Sequence, residues 1–227
     1  MMTSAITLSP PDTDEILRYM GMPPEKADAS TRALAVQCGE QLLSVAAPRW
    51  CGRIFELSFG EDGVRLDDCL LLGGQELKQH LDGCGRAAVF CATLGANVDA
   101  IIRRTQYTDM ARALALDCAA GALVEQLCDR IEGHIHARMP GLHSPYRFSP
   151  GYGDLPLGVQ SALLTLLDAH RLIGLSATDS CIMTPRKSVT AILGLSDCPI
   201  PTHKRSCALC PAQDGCQLRK SGGHCGI

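Results

Sequence analysis

Aromatic side chains are scarce in this chain, with one Trp, four Tyr and four Phe among 227 residues. An aromatic beside a glycine-rich loop therefore stands out as a candidate for contact with a ligand. Basic charge is not in excess either, and the formal net charge of −3 argues against a broad nucleic-acid-binding surface. No apolar run approaches the roughly 18 residues that a transmembrane helix needs, so no membrane partner is expected. The opening Met-Met-Thr-Ser-Ala-Ile-Thr-Leu-Ser-Pro-Pro lacks the charged start and apolar core of a signal peptide, which points to a cytoplasmic protein. Neither a phosphate-binding loop nor a Ser/His/Asp arrangement is evident, so no residue is assigned a catalytic role. Internal repeats are lacking as well.

What is present is an ordinary globular balance, 46% hydrophobic and 20% charged, in a chain long enough to bury a sizeable core. Residues 1–11 read as a disordered lead-in. Helices are predicted over 12–20 and 27–45, the second opened by Asp28 or Ser30 and closed before Pro48. Residues 54–59 and 64–66 flank Gly60-Glu61-Asp62-Gly63 as a hairpin. Gly73-Gly74 precedes a short helix over 75–81, and 86–94 is a compact apolar run suited to a buried strand. Helix signals follow from 97 to 104. Farther on, a helix is predicted over 155–172, with Pro156 near its first turn and Gly174 past its end. Strands are expected over 178–183 and 188–195, separated by Thr184-Pro185-Arg186-Lys187. That basic pair reads either as a solvated turn or as a meeting point for a phosphate-bearing partner or cofactor.

The strongest periodic signal covers 109–136. Ala113, Leu116, Ala120, Leu123, Leu127 and Ile131 recur three or four apart and share one helical face, with Asp109 as N-cap. Asp117, Gly121, Glu125 and Asp129, spaced by four, form a second ridge turned away from that stripe. Periodicity alone makes this ridge a solvated face.

Between the last helices lies Tyr-Arg-Phe-Ser-Pro-Gly-Tyr-Gly-Asp-Leu-Pro, residues 146–156. Gly151 and Gly153 permit backbone conformations that other residues resist, while Pro150 and Pro156 stiffen the segment. Arg147 can fork two hydrogen bonds onto a carboxylate or phosphate. Tyr152, and to a lesser degree Phe148, can cover a flat or cationic group. These parts suit a small charged ligand, or simply a rigid surface loop leading into a helix.

Arg147-Phe148-Ser149-Pro150-Gly151-Tyr152 resembles the Arg-x-x-x-Gly-Tyr loop of the activation (reactivation) domain of cobalamin (vitamin B12)-dependent methionine synthase, an enzyme of methionine biosynthesis. The resemblance runs on through Ile173-Gly174-Leu175, Thr178-Asp179-Ser180-Cys181-Ile182-Met183 and Ser188-Val189-Thr190. It is specific over 146–195, looser over 85–140 and faint before that. The chain looks most like a stand-alone form of this domain. The resemblance implies an α+β fold, a mostly antiparallel twisted sheet with surrounding helices. It also implies a site for S-adenosylmethionine, which is held over the cobalt of a cobalamin on a partner protein. An electron donor such as flavodoxin or ferredoxin would reduce cob(II)alamin, and methyl transfer would trap the reduced state. Cofactors carry such chemistry and the protein positions them.

By that resemblance Arg147 would take the ligand's carboxylate. Glu125, Asp129 and Tyr152 would face its sulfonium and amino group. Backbone groups around Ser149, Pro150 and Gly151 would read its adenine. Gly153-Asp154 departs from the family's usual Pro-Ala, and the family's connection before the Ser-Val strand has no pair like Arg186-Lys187.

The chain's end has its own character. Cys198, Cys207, Cys210, Cys216 and Cys225 cluster there with His203 and His224. Cys207 and Cys210 could approach one metal across a tight turn, and Cys216 and Cys225 could complete a tetrahedral set. Zinc and an iron–sulfur cluster are both compatible with that spacing, and a redox-active dithiol at Cys207 and Cys210 is the alternative. The Cys-x3-Cys-x2-Cys pattern of radical enzymes that use S-adenosylmethionine is missing. Cysteines 38, 51, 69, 84, 91, 118, 128 and 181 read as small buried hydrophobes.

The expected organisation is therefore a lead-in at 1–11 and a helical and hairpin part at 12–84. A ligand-binding core at 85–196 and a Cys-rich, metal-binding tail at 197–227 complete it. Three functions stay open: a reactivation subunit for a cobalamin-binding methionine synthase, an activator of another corrinoid methyltransferase, or a metal-binding interaction module that retains only the fold.

Overall fold

Five strands run antiparallel in the order β3-β2-β1-β4-β7, where β1 is Arg49–Gly60, β2 Gly63–Leu66, β3 Leu70–Leu72, β4 Arg86–Thr93 and β7 Ser188–Leu195. This computed structural model describes residues 1–200 and Gly215. Helices α1 (Thr13–Tyr19), α2 (Ala29–Val45), α4 (Ala96–Thr105) and α5 (Met110–Arg138) lie on one side of the sheet, and α3 (Gln75–His80), α6 (Val159–Leu166) and α7 (Ala169–Ile173) on the other. A separate two-stranded ribbon pairs β5 (Ser176–Ala177) with β6 (Met183–Thr184). The expected α+β fold with a mostly antiparallel sheet is the fold observed.

Alternation along β4 explains the two-sided core. Ala88, Phe90 and Ala92 face α2 and α5, while Ala87, Val89 and Cys91 face α3, α6 and α7, as the two-residue period of a strand requires. A strand covered on both faces reads as a continuous apolar run, which is why 86–94 was legible. On α5 the whole stripe from Ala113 to Ile131 is buried. Burial of its larger members, Leu116, Leu123, Leu127 and Ile131, contributes about 1.5–3 kcal/mol each. Asp109 caps the helix by accepting from the Arg112 amide at 2.9 Å.

Several sequence expectations need correction. Residues 1–11 are not a loose lead-in. Met2 and Gly52 exchange backbone hydrogen bonds at 2.6 and 3.0 Å, the Trp50 indole donates to the Ser4 carbonyl at 3.0 Å, and Ile6 and Leu8 rest on the core. The helix expected over 155–172 begins at Val159 and breaks at Asp168, whose φ of 51° lies in the left-handed region. The strand expected over 178–183 is mostly a turn: the Thr178 amide donates to the Ile182 carbonyl at 2.9 Å, and Cys181 has a φ of 61°. Cys69 is exposed rather than buried, whereas Cys38, Cys51, Cys84, Cys91, Cys118 and Cys128 are buried.

The outer edge of β7 is closed by the chain that leads to the glycine-rich loop. Phe148 and Ile192 exchange backbone hydrogen bonds at 2.9 and 2.8 Å, and His143 and Ser196 do so at 2.9 Å. No described helix is long and apolar enough to cross a membrane.

Candidate functional site

The second ridge of α5 is only partly solvated: Asp117 and Asp129 are exposed, Gly121 and Glu125 half-buried, and each of the four has a neighbour from another element. Asp117 meets Lys187 at 3.0 Å. Gly121 lies beneath the Tyr19 ring of α1, whose Cδ2 a Cβ there would approach to 3.4 Å. Glu125 and Asp129 both accept from Arg147, Asp129 at 2.7 Å, and Glu132 joins them at 2.5 Å. Glu132 is absent from the sequence reading, which followed steps of four and stopped at Asp129. A step of three, equally a helical neighbour, reaches it.

Arg147 is the centre of this group, its side chain 16% exposed. Burial works against its charge, yet the neighbouring Cys128 and the bonds to Glu132 and Glu125 more than offset this, raising Arg147 above the ordinary guanidinium range. The cation is thus held in place by carboxylates of α5.

The loop that follows is a self-bonded turn. Gly151, with φ of 90°, donates its amide to the Leu155 carbonyl at 2.9 Å, and the Tyr152 amide donates to the Ser149 carbonyl at 3.1 Å. Phe148 is 4% exposed and belongs to the core, so it does not serve as a cover for a ligand. Tyr152 stays 48% exposed, set edge-on to Phe148.

Gly153-Asp154, the departure from the family's pattern, ties the loop to α3. The Asp154 carboxylate accepts from the amides of Gln75 at 2.5 Å and Glu76 at 3.2 Å, the orphan donors of a helix start. At Gly153, φ is 51° and a Cβ would run into the Glu76 carboxylate.

Between loop, α5 and β7 lies a cleft of about 170 Å³. Of the residues the sequence grouped, Glu125, Arg147, Ser149, Pro150 and Tyr152 line it and Gly151 and Asp129 do not; Gln160, Met183, Ser188, Val189 and Thr190 complete the lining. Asp129 adjoins the cleft through Arg147. Gln160 was missed, although it sits on the buried stripe of α6 with Leu163, Leu164 and Leu167, and a polar residue in that stripe is a readable signal.

Lys187 pairs with Asp117, so the two residues do not form a doubly charged free patch; the Arg186 backbone amide donates to Asp99 at 2.6 Å. The metal set Cys207, Cys210, Cys216 and Cys225 lies outside the described residues. Among the described residues no group of three or more His, Cys, Asp or Glu is arranged to hold a metal ion.

No protein-family model matches the chain, and no curated protein sequence does. Among solved structures it is similar to the crystal structure of the MetH reactivation domain bound to AdoHcy, with a TM-score of 0.64 and 14% identity over 95% of this chain and 82% of that one. The chain therefore shares the fold of that reactivation domain.

Proposed function

We propose that this protein binds S-adenosylmethionine in the cleft beneath Tyr152 and supports reductive methylation of a cobalamin held on a partner, either a methionine synthase or another corrinoid protein. The observation that carries this reading is Arg147 set among Glu125, Asp129 and Glu132 at the cleft. Three carboxylates against one guanidinium leave an excess of negative charge. S-adenosylmethionine brings an ammonium and a sulfonium against one carboxylate, the complementary balance. Its carboxylate would share Arg147, and the carboxylates so released would turn to its two cations. Tyr152 would lie over the sulfonium.

In such a reaction an external donor, flavodoxin or ferredoxin in class, supplies one electron to the corrinoid; the sulfonium methyl group then passes to it, the C–S electron pair staying on sulfur as S-adenosylhomocysteine forms. No proton has to move in this transfer. This chain's contribution is to orient the methyl group and to hold the ligand's charges in fixed places. The reading as an activator of a different corrinoid methyltransferase loses the support of a free basic pair, since Lys187 is engaged by Asp117.

Calorimetric titration of S-adenosylmethionine and S-adenosylhomocysteine into the full chain tests the reading. Saturable binding is expected, weakened tenfold or more by Arg147→Ala or Tyr152→Ala, about 1.4 kcal/mol per tenfold. Glu125→Gln should narrow the preference for the cationic ligand. A folded protein that binds neither ligand would end this proposal.

A further inference from the structure

We propose that Gln160 reads the nucleobase of the ligand, presenting an amide fixed in one orientation to the amino and ring-nitrogen edge of an adenine. This rests on the cleft being a site for an adenosyl ligand, as argued above. Gln160 is 4% exposed, and burying a primary amide is costly unless its hydrogen-bonding groups find partners. Its Nε2 donates to the Cys181 carbonyl at 2.8 Å, and its Oε1 accepts from the Thr190 hydroxyl at 3.4 Å, a long contact. Because a backbone carbonyl only accepts, the nitrogen must face Cys181 and the amide cannot flip without opposing two acceptors.

A primary amide has two N–H donors and two oxygen lone pairs. Among the described residues, one N–H and one lone pair of Gln160 are left over, and the side chain lines the cleft. Adenine offers the matching pair, an amino donor beside a ring-nitrogen acceptor, the edge that Gln recognises in other settings. A 6-oxo purine in the same pose keeps its ring nitrogen as an acceptor but sets its oxygen against Oε1, two acceptors facing each other, so the fixed orientation becomes a selectivity device. Backbone groups near the loop are less free for this task. The Gly151 amide and the Ser149 carbonyl are engaged inside the turn.

The test compares S-adenosylhomocysteine with S-inosylhomocysteine by calorimetry on the full chain, in native, Gln160→Leu, Thr190→Val and Tyr152→Ala forms. The native protein should prefer the adenosyl ligand at least tenfold, Gln160→Leu should bind both alike, and Tyr152→Ala should weaken both equally. If Gln160→Leu does not fold, the native preference together with its reduction in Thr190→Val decides the matter. Equal native affinities, or a folded Gln160→Leu that keeps the preference, would overturn the role of Gln160 and leave the adenosyl site standing. Native protein that binds neither ligand overturns the site and this role together.

Discussion

Glu132 accepts from the Arg147 guanidinium at 2.5 Å, and its side chain is 22% exposed where that of Asp129, on the same cation, is 68% exposed. The two carboxylates should therefore couple to Arg147 unequally. Double-mutant cycles with Arg147→Ala should return about 1–3 kcal/mol for Glu132→Ala and about 0–1 kcal/mol for Asp129→Ala. Urea unfolding with both cycles measures this, and equal couplings would contradict it.

Asp154 fastens the glycine-rich loop to α3. Replacing it by Ala should cost about 1 kcal/mol of stability, as for a lost helix cap, and should also weaken S-adenosylmethionine binding although Asp154 is not among the cleft-lining residues. Unfolding and titration of the same variant check the two effects. A change in stability alone would show that the loop keeps its shape without the tie.

Gly63 has φ of 139°, and a Cβ there would come within 2.1 Å of the Leu72 carbonyl oxygen. Gly63→Ala should destabilise by about 2–3 kcal/mol through strain and overlap with backbone. Gly21, at φ of 76° with open space around it, isolates the conformational part, and Gly21→Ala should cost about 1 kcal/mol. Thermal unfolding of the pair separates overlap from dihedral strain.

Burial, and secondarily the Asp82 carboxylate, push the Cys84 thiol from its ordinary 9.0 up to about 11. The folded protein holds this proton more tightly than the unfolded chain does. The associated stability is complete below pH 9 and is lost as the pH rises to about 11. Cys84→Ala should flatten that part of the alkaline stability curve, which denaturant titrations from pH 8 to pH 11.5 would show.

How legible these features were depended on where the deciding interaction lay. The α5 stripe and the β4 run declare themselves because burial repeats with the period of the element. Arg147, Gly151 and Tyr152 could be singled out by residue type, and the structure does bring Arg147 and Tyr152 to one cleft with Glu125. The break at Asp168 and the turn around Cys181 rest on positive φ at residues other than glycine, for which local sequence gives little warning. The strap at Met2 and Ser4 depends on partners at Gly52 and Trp50, and Gln160 depends on Cys181 and Thr190. Such long-range partners become visible only when the chain is folded.

The bridge between Phe148 and Ile192 gives the chain leading into the glycine-rich loop a duty at the sheet margin. Among the described residues no further strand lies beyond β7, and His143 and Phe148 take up the outward backbone groups of Ser196 and Ile192 at that margin. An uncovered margin is a template for pairing with another molecule. Damage to the root of this loop should therefore show itself first as concentration-dependent self-association, with light scattering rising while the secondary structure is still intact. The same short segment thus covers part of the sheet margin and carries Arg147 to the cleft.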